Sequence, residues 1–159
     1  MGPMLLEAER SLLLLVDAQT RLVPAIHDAD ACVRRCRLLI EAARRLEVPV
    51  VAAEQYPQGL GPTVPELAAL LEPAKVHAKR HFSCAAKPEI VAALEAHARP
   101  VIVMCGMEAH MSREPASREI ALQRLQGHGV EIVTAEMVVF EWLREAATPA
   151  FRAILPLVR

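Results

Sequence analysis

Short aliphatic runs alternate along this chain with stretches of helical spacing. The segments at 11–19, 48–54 and 100–106 each contain an aliphatic run that is too short for a helix, which is typical of strands buried on both faces of a sheet. A brief fourth strand is predicted to end near Lys79, and a last strand at 130–136. Amphipathic or apolar helical segments separate them, at about 28–47, 65–71, 88–97 and 115–126, with two more after 136.

This alternation predicts an α/β fold with parallel strands joined by right-handed crossovers. The spacing shows no repeat and no linker, so we expect a single domain over 1–159. Glycines and prolines at 55–65 predict an irregular loop. That loop either covers a binding crevice as a lid, with Tyr56 as a stacking surface, or has a purely structural role.

Composition excludes several classes of protein. The chain is 53% hydrophobic and 23% charged, with a net charge of −1 and both signs interspersed, so disorder and nucleic-acid binding are both disfavoured. The longest aliphatic run, 12–16, is far shorter than the ~20 residues of a membrane helix. The first ten residues lack the pattern of a secretory signal, so we expect a cytoplasmic protein without membrane contact.

The metal-ligating residue types are dispersed. Four cysteines have neither the paired spacing of a zinc site nor the density of a disulfide scaffold, which predicts reduced thiols. Six histidines show no spacing that would set two on one helical face. We therefore expect no metal and no cofactor.

Charged residues end three of the predicted strands. Asp17, Glu54 and Lys79 follow aliphatic segments, and ligands of such sheets bind beyond the carboxyl ends of the strands. Asp17 directly follows LLLLV, so its carboxylate is expected to be partly desolvated and to need a cationic or donor partner. Lys79 is a candidate for that partner. The pair is either part of an active site or a structural ion pair.

Four segments carry a family resemblance: LLLVDAQTRLVPAI, EQYPQGLGPTVPEL, KRHFSC and CGMEAH, in this order. Together they resemble the isochorismatase-like cysteine hydrolases, and most closely the small isochorismatase-domain proteins, over nearly the whole chain. The resemblance implies a Rossmann-like three-layer α/β/α fold. It also implies an Asp, Lys and Cys triad that hydrolyses small amides and related substrates.

Two members of the triad have matches in this chain, Asp17 and Lys79. The expected substrate-binding residues lie in or beside the same four segments: Gln19, Tyr56, Phe82 and His110.

The third member of the triad, the cysteine, is missing from its expected place. In the family, the segment resembling CGMEAH leads to a nucleophilic cysteine at the start of a helix, whereas Ser112 stands at that position here. The following SREPASREIALQRL resembles a stretch that normally comes one helix and one strand later. Roughly 20–25 residues are absent on that alignment, which predicts five strands where the family has six.

The four cysteines offer one candidate replacement. Cys32 and Cys36 lie four apart on an apolar helix face and Cys105 lies within a strand, so all three are expected to be packed and inert. Cys84 closely follows KRHFS and could lie near the crevice.

Three hypotheses follow for function. The chain is an isochorismatase-family hydrolase scaffold that is silent or severely impaired, an active hydrolase with Ser112 or Cys84 as nucleophile, or a module for binding or assembly. Hydrolysis by Asp17 without a nucleophile is a further possibility. A small-molecule ligand is expected in each enzymatic case, and homo-oligomers are expected because a lost unit leaves apolar surface to cover.

Overall fold

In this computed structural model, residues 5–107 and 113–158 are described. Four parallel strands form one sheet in the order β3-β2-β1-β4. The strands are β1 (Ser11–Val16), β2 (Val50–Gln55), β3 (Val76–Lys79) and β4 (Val101–Gly106). The order changes direction at β1, so the crevice of this α/β sheet opens beyond the carboxyl ends of β1 and β4.

Seven α-helices accompany the sheet in the described residues, together with several short 3-10 turns. They are α1 (Ala29–Arg45), α2 (Pro57–Leu60), α3 (Pro65–Ala68), α4 (Pro88–Glu95), α5 (Pro115–Gly127), α6 (Ala135–Leu143) and α7 (Pro149–Val158). None of them combines the length and apolar composition that crossing a membrane requires.

Strand β1 is the centre of the core, and its two faces meet different helices. Leu13 and Leu15 pack in the larger apolar cluster with residues of α1, α6 and α7. Leu12 and Leu14 point the opposite way and pack with Val51 and residues of α4. Because successive side chains of a strand alternate between faces, helices cover both sides of the sheet, as the α/β class requires.

The prediction of a fifth strand at 130–136 is wrong. The described part of the chain has four strands; residues 130–134 are irregular and α6 begins at Ala135. Strand β4 pairs with β1 alone, and Val133 packs against the main core cluster instead of joining a ladder. Apolar residues of this segment are therefore accommodated by packing, without a neighbouring strand in the described part of the chain.

The loop at 55–65 is more regular than its composition predicts. Gln55 still belongs to β2, and the single-turn helix α2 follows directly. Tyr56 precedes this helix with a φ of 37°, in the left-handed region. Pro57 takes the first helical position, where its missing N–H costs nothing, so a proline-rich segment can still make one turn.

Gly106 ends β4 and allows a close approach to β1. Its φ is 132°, and a Cβ added there would overlap the backbone carbonyl of Val16. The next residue, Met107, donates its N–H to that carbonyl at 2.8 Å. Glycine is therefore required where these two strands reach the crevice.

Candidate functional site

Asp17 occupies the turn that ends β1. Its φ is 54°, its N–H donates to the Ala53 carbonyl at 3.0 Å, and its own carbonyl accepts from the Gln19 N–H at 2.9 Å. The left-handed conformation is costly for most residues but is tolerated by aspartate. Only 4% of Asp17 is exposed, so its carboxylate needs a partner within the protein.

Lys79 supplies that partner. It ends β3, its side chain is completely buried, and its ammonium lies 3.1 Å from the Asp17 carboxylate. The ammonium also donates to the Gln55 side-chain oxygen at 2.7 Å and to the Phe82 carbonyl at 3.1 Å. All three N–H bonds of Lys79 therefore have acceptors, which is the condition for burying an ammonium group.

Sheet order explains how two residues 62 positions apart meet. Strand β2 lies between β1 and β3, so the long side chain of Lys79 passes the end of β2 to reach Asp17. Gln55, the last residue of β2, accepts a hydrogen bond from the same ammonium group. The sequence-predicted pairing of Asp17 with Lys79 is thus present as a buried ion pair. Whether the pair is catalytic stays a prediction.

Gln19 is fully buried and holds backbone groups. Its side-chain oxygen accepts from the Gln55 N–H at 2.7 Å, and its Nε2 donates to the carbonyls of Gln55 and Gly61 at 2.9 and 2.7 Å. Every polar group of the amide side chain is engaged within the protein. Its predicted contact with a substrate stays untested.

Glu54 points to the loop rather than to the ion pair. Its carboxylate accepts from both the N–H and the hydroxyl of Thr63, each at 2.7 Å. This double contact, with an isolated bridge between Gln19 and Thr63, fixes the far end of the segment that follows β2.

Tyr56 and Phe82 lie on the segments that flank Lys79, and both are exposed, at 47% and 75%. The Tyr56 N–H donates to the Lys79 carbonyl at 2.8 Å, so its backbone is fixed beside the buried lysine. The guanidinium of Arg80 lies 5.8 Å from the centre of the tyrosine ring. An aromatic and cationic pair therefore borders the site, and the sequence analysis missed Arg80 because no local pattern marks it.

Two predicted residues, His110 and Ser112, lie outside the described residues. The site built by the described chain consists of Asp17, Lys79 and Gln55, with Gln19 behind them. No group of three or more metal-ligating side chains capable of holding an ion occurs in residues 5–107 and 113–158.

Three of the four cysteines lie together between α1 and β4. Cys36 is buried, and the Cys32 thiol donates to the Gly106 carbonyl at 3.5 Å. A hydrogen bond with Cys36 and burial raise the pKa of the Cys32 thiol far above its ordinary value, and a hydrogen bond with Cys105 does the same to the pKa of Cys36. Thiolates are strongly disfavoured at Cys32 and Cys36, as expected for inert buried cysteines.

Cys84 is in a different place. It begins a short turn after Phe82 and is half-buried against the cluster of Leu12, Leu14 and Val51. It therefore lies on the α4 side of the sheet, opposite the thiols of α1.

Comparison with known proteins gives the same family as the sequence motifs. The model of the isochorismatase domain matches residues 11–122. Isochorismatase domain-containing protein 2 of Danio rerio is 33% identical, over 96% of this chain and 89% of the relative, and the Bos taurus protein of that name is 33% identical over 94% and 83%.

Solved structures share the fold. The YcaC protein of Pseudomonas aeruginosa, solved with hexane-2,5-diol and covalent acrylamide, superposes with a TM-score of 0.87 at 20% identity, covering 96% of this chain and 90% of its own. The YcaC gene product of Escherichia coli, described as an octameric hydrolase of unknown specificity, gives 0.85 at 19% identity, covering 99% and 89%. On the domain match and these relatives, the chain is a member of the isochorismatase family.

Proposed function

We propose that this protein is an isochorismatase-family hydrolase scaffold in which cysteine-dependent hydrolysis of small amides is silent or severely impaired. It keeps the acidic and basic members of the triad, Asp17 and Lys79, and lacks the thiol that would attack the substrate. The observation that carries the proposal is the location of the thiols. Cys32, Cys36 and Cys105 lie between α1 and β4, where the pKa values of Cys32 and Cys36 are raised.

A gap in the sequence supports the loss of the nucleophile. The alignment with the Danio rerio relative extends over 178 positions, which is more than the 159 residues of the whole chain. The relative therefore has residues that this chain lacks. The unpaired side of β4 supports placing this gap after the fourth strand.

Turnover measurements test this proposal. A panel of small amides, carbamoyl compounds and vinyl ethers is incubated with wild-type protein at high concentration. We expect turnover at or barely above the buffer rate. Robust turnover that disappears in Asp17→Asn, while Lys87→Met on the surface retains it, would show an intact catalytic site and overturn the proposal.

The same panel separates the alternatives. Activity lost in Ser112→Ala assigns a serine nucleophile, and activity lost in Cys84→Ser assigns a displaced cysteine. Activity that survives both substitutions but needs Asp17 indicates hydrolysis without a nucleophile. Each of these results would replace the silent-scaffold proposal.

An assembly function is the second candidate, and strand β4 favours it. Because Met107 donates toward β1, the backbone groups of Ile102 and Met104 point to the opposite edge, where no described strand pairs with them. Ile102 and Met104 are 48% and 64% exposed. An edge with exposed apolar side chains and no strand partner among the described residues favours pairing with a second copy, and an E. coli neighbour is described as an octamer.

Light scattering after size exclusion tests assembly. We expect a homo-oligomer, and we expect Met104→Lys to reduce its mass because a charge then lies on the edge. Ile120→Lys, an equally apolar and exposed position on α5, is the matched control and should keep the wild-type mass. A monomeric wild-type protein would contradict this candidate.

A cytoplasmic location is part of the proposal. Cys32, Cys36 and Cys105, which lie together in the described part of the chain, form no disulfide there, which supports a reducing compartment. Fractionation of cells that express the tagged protein tests the location, and recovery in a secreted fraction would contradict it.

A further inference from the structure

Two buried glutamines connect the ion pair to the segment that follows β2. Gln55 accepts from the Lys79 ammonium at 2.7 Å, and its own Nε2 donates to the Arg80 carbonyl at 2.7 Å. One side chain therefore contacts both the head group of Lys79 and the backbone of the residue after it. The contact with Gln55 is the shortest of the three made by the ammonium.

Gln19 fixes Gln55 in turn. It bonds to both the N–H and the carbonyl of Gln55, as a neighbouring strand would, although β2 already ends there. Its remaining N–H donates to the Gly61 carbonyl at 2.7 Å. The same amide therefore holds the end of β2 and the loop that carries α2.

Backbone contacts reinforce the connection on both sides. The Thr20 N–H donates to the Pro62 carbonyl at 2.9 Å, and the Val64 N–H donates to the Ala18 carbonyl at 2.9 Å. Backbone hydrogen bonds therefore tie the turn after Asp17 to the segment at 60–64. Gln19 contacts this segment through Gly61 and contacts Gln55 directly, so it connects the two.

When an ammonium group has three hydrogen-bond acceptors, its position is set mainly by the acceptor that is closest and most firmly held in place. The Asp17 carboxylate and the Phe82 carbonyl each lie at 3.1 Å, whereas the Gln55 side-chain oxygen lies at 2.7 Å and belongs to an amide held at its other end. We propose that Gln55 is a positioning residue for the Lys79 ammonium, and that Gln19 couples this position to the loop at 57–63.

This proposal goes beyond the silent-scaffold function and does not depend on it. If the glutamines only satisfy buried backbone groups, replacing them alters the stability of the fold but leaves the exchange rate of the Lys79 ammonium protons unchanged. If they position the ammonium group, replacing them changes that exchange rate. The deciding measurement must therefore observe Lys79 directly.

Nuclear magnetic resonance of isotope-labelled lysine makes that measurement possible, because the chain contains only three lysines, at 75, 79 and 87. A Lys79→Arg sample assigns the Lys79 signal by its disappearance. In the wild-type protein, buried and triply bonded ammonium protons should exchange with water far more slowly than those of the other two lysines. The exchange rate is then compared among variants.

We expect Gln55→Met to accelerate exchange of the Lys79 ammonium protons by about tenfold or more, because a hydrogen bond to a charged group is lost. Gln19→Met should give a smaller acceleration in the same direction and should also accelerate exchange of the Thr20 amide. Gln58→Met is the matched control, since Gln58 is an exposed glutamine of α2, and it should change neither rate.

Two outcomes would overturn the proposal. One is an unchanged Lys79 rate in folded Gln55→Met, and the other is a Gln19→Met protein in which the Thr20 amide responds but Lys79 does not. If Gln55→Met fails to fold, Gln55→Glu replaces it. This variant keeps an acceptor for the Lys79 ammonium but cannot donate to the Arg80 carbonyl that holds the side chain in place, so it should change the Lys79 exchange rate, and an unchanged rate there would equally refute the positioning role.

Discussion

The buried pair of Asp17 and Lys79 makes a quantitative prediction about stability. The two side chains are 6% and 0% exposed, and no solvent can compensate the loss of one charge. Lys79→Met leaves a buried carboxylate without its cation, which costs about 3–5 kcal/mol. That is a large part of the total free energy of unfolding of such a protein, about 5–15 kcal/mol.

The reciprocal change is less severe. Asp17→Asn leaves the ammonium with Gln55 and the Phe82 carbonyl as neutral acceptors, and asparagine tolerates the left-handed backbone at this position. We expect a cost near the lower end of the same range, about 3 kcal/mol. The double variant carries no unpaired charge, so its cost should fall below the sum of the single costs by about 1–3 kcal/mol.

Urea unfolding followed by circular dichroism measures the free energy of unfolding of the wild type, the two single variants and the double variant. The prediction of one domain also requires a single unfolding transition. Lys87→Met is the surface control: its partner Glu89 is 62% exposed, so its cost should stay under about 1 kcal/mol. Two results would contradict a stabilising ion pair: a double variant that loses as much unfolding free energy as the two single variants together, or a Lys79→Met variant that loses no more than the control.

Three further predictions concern the backbone, a surface carboxylate and the thiols. Gly106→Ala should lower the free energy of unfolding by about 2 kcal/mol or more, because the added Cβ meets the backbone of β1. Gly127→Ala has open space around the added Cβ in α5 and should raise it by up to about 1 kcal/mol. Urea midpoints of the two variants check both values. Arginines one turn before and after Glu41 lower the pKa of its carboxyl, so the contribution of Glu41 is present at neutral pH and is lost as the pH falls through that lowered value. Glu41→Gln should therefore cost about 0.5–1 kcal/mol near pH 7 and nothing in strong acid, and an equal cost at both would contradict this. Iodoacetamide followed by peptide mass spectrometry should modify Cys84 before Cys36, whose thiol is buried with a raised pKa, and the reverse order would contradict that assignment.

The sheet was largely predictable because its strands carry the signal themselves. The aliphatic run at 12–16 is buried on both faces, and the charged residues at the ends of β1 and β3, Asp17 and Lys79, lie at the common edge that parallel order dictates. Local sequence therefore located both members of the ion pair before any contact was known.

The predicted strand at 130–136 failed because a strand needs a neighbour as well as a pattern. The segment is rich in β-branched residues, which are frequent in strands, yet no described strand pairs with it, and Val133 is accommodated by packing instead. Pairing is a property of the whole sheet, which a local window does not contain.

The glutamines illustrate a second limit. Gln55 follows Glu54 directly, and sequence reasoning chose the charged residue for the crevice. In the structure the carboxylate of Glu54 holds Thr63, whereas the amide of Gln55 holds Lys79. Alternation at the end of β2 places these neighbours on opposite faces, but the choice of face depends on which strands lie beside it.

Covalent capture tests the proposal that the buried pair of Asp17 and Lys79 persists without a working nucleophile. Wild-type protein is incubated with acrylamide and with the amide panel, quenched in acid and mapped by peptide mass spectrometry. If the nucleophile is lost, no adduct whose formation depends on Asp17 should appear at Cys84 or Ser112. A stoichiometric adduct at either residue that disappears in folded Asp17→Asn would contradict it.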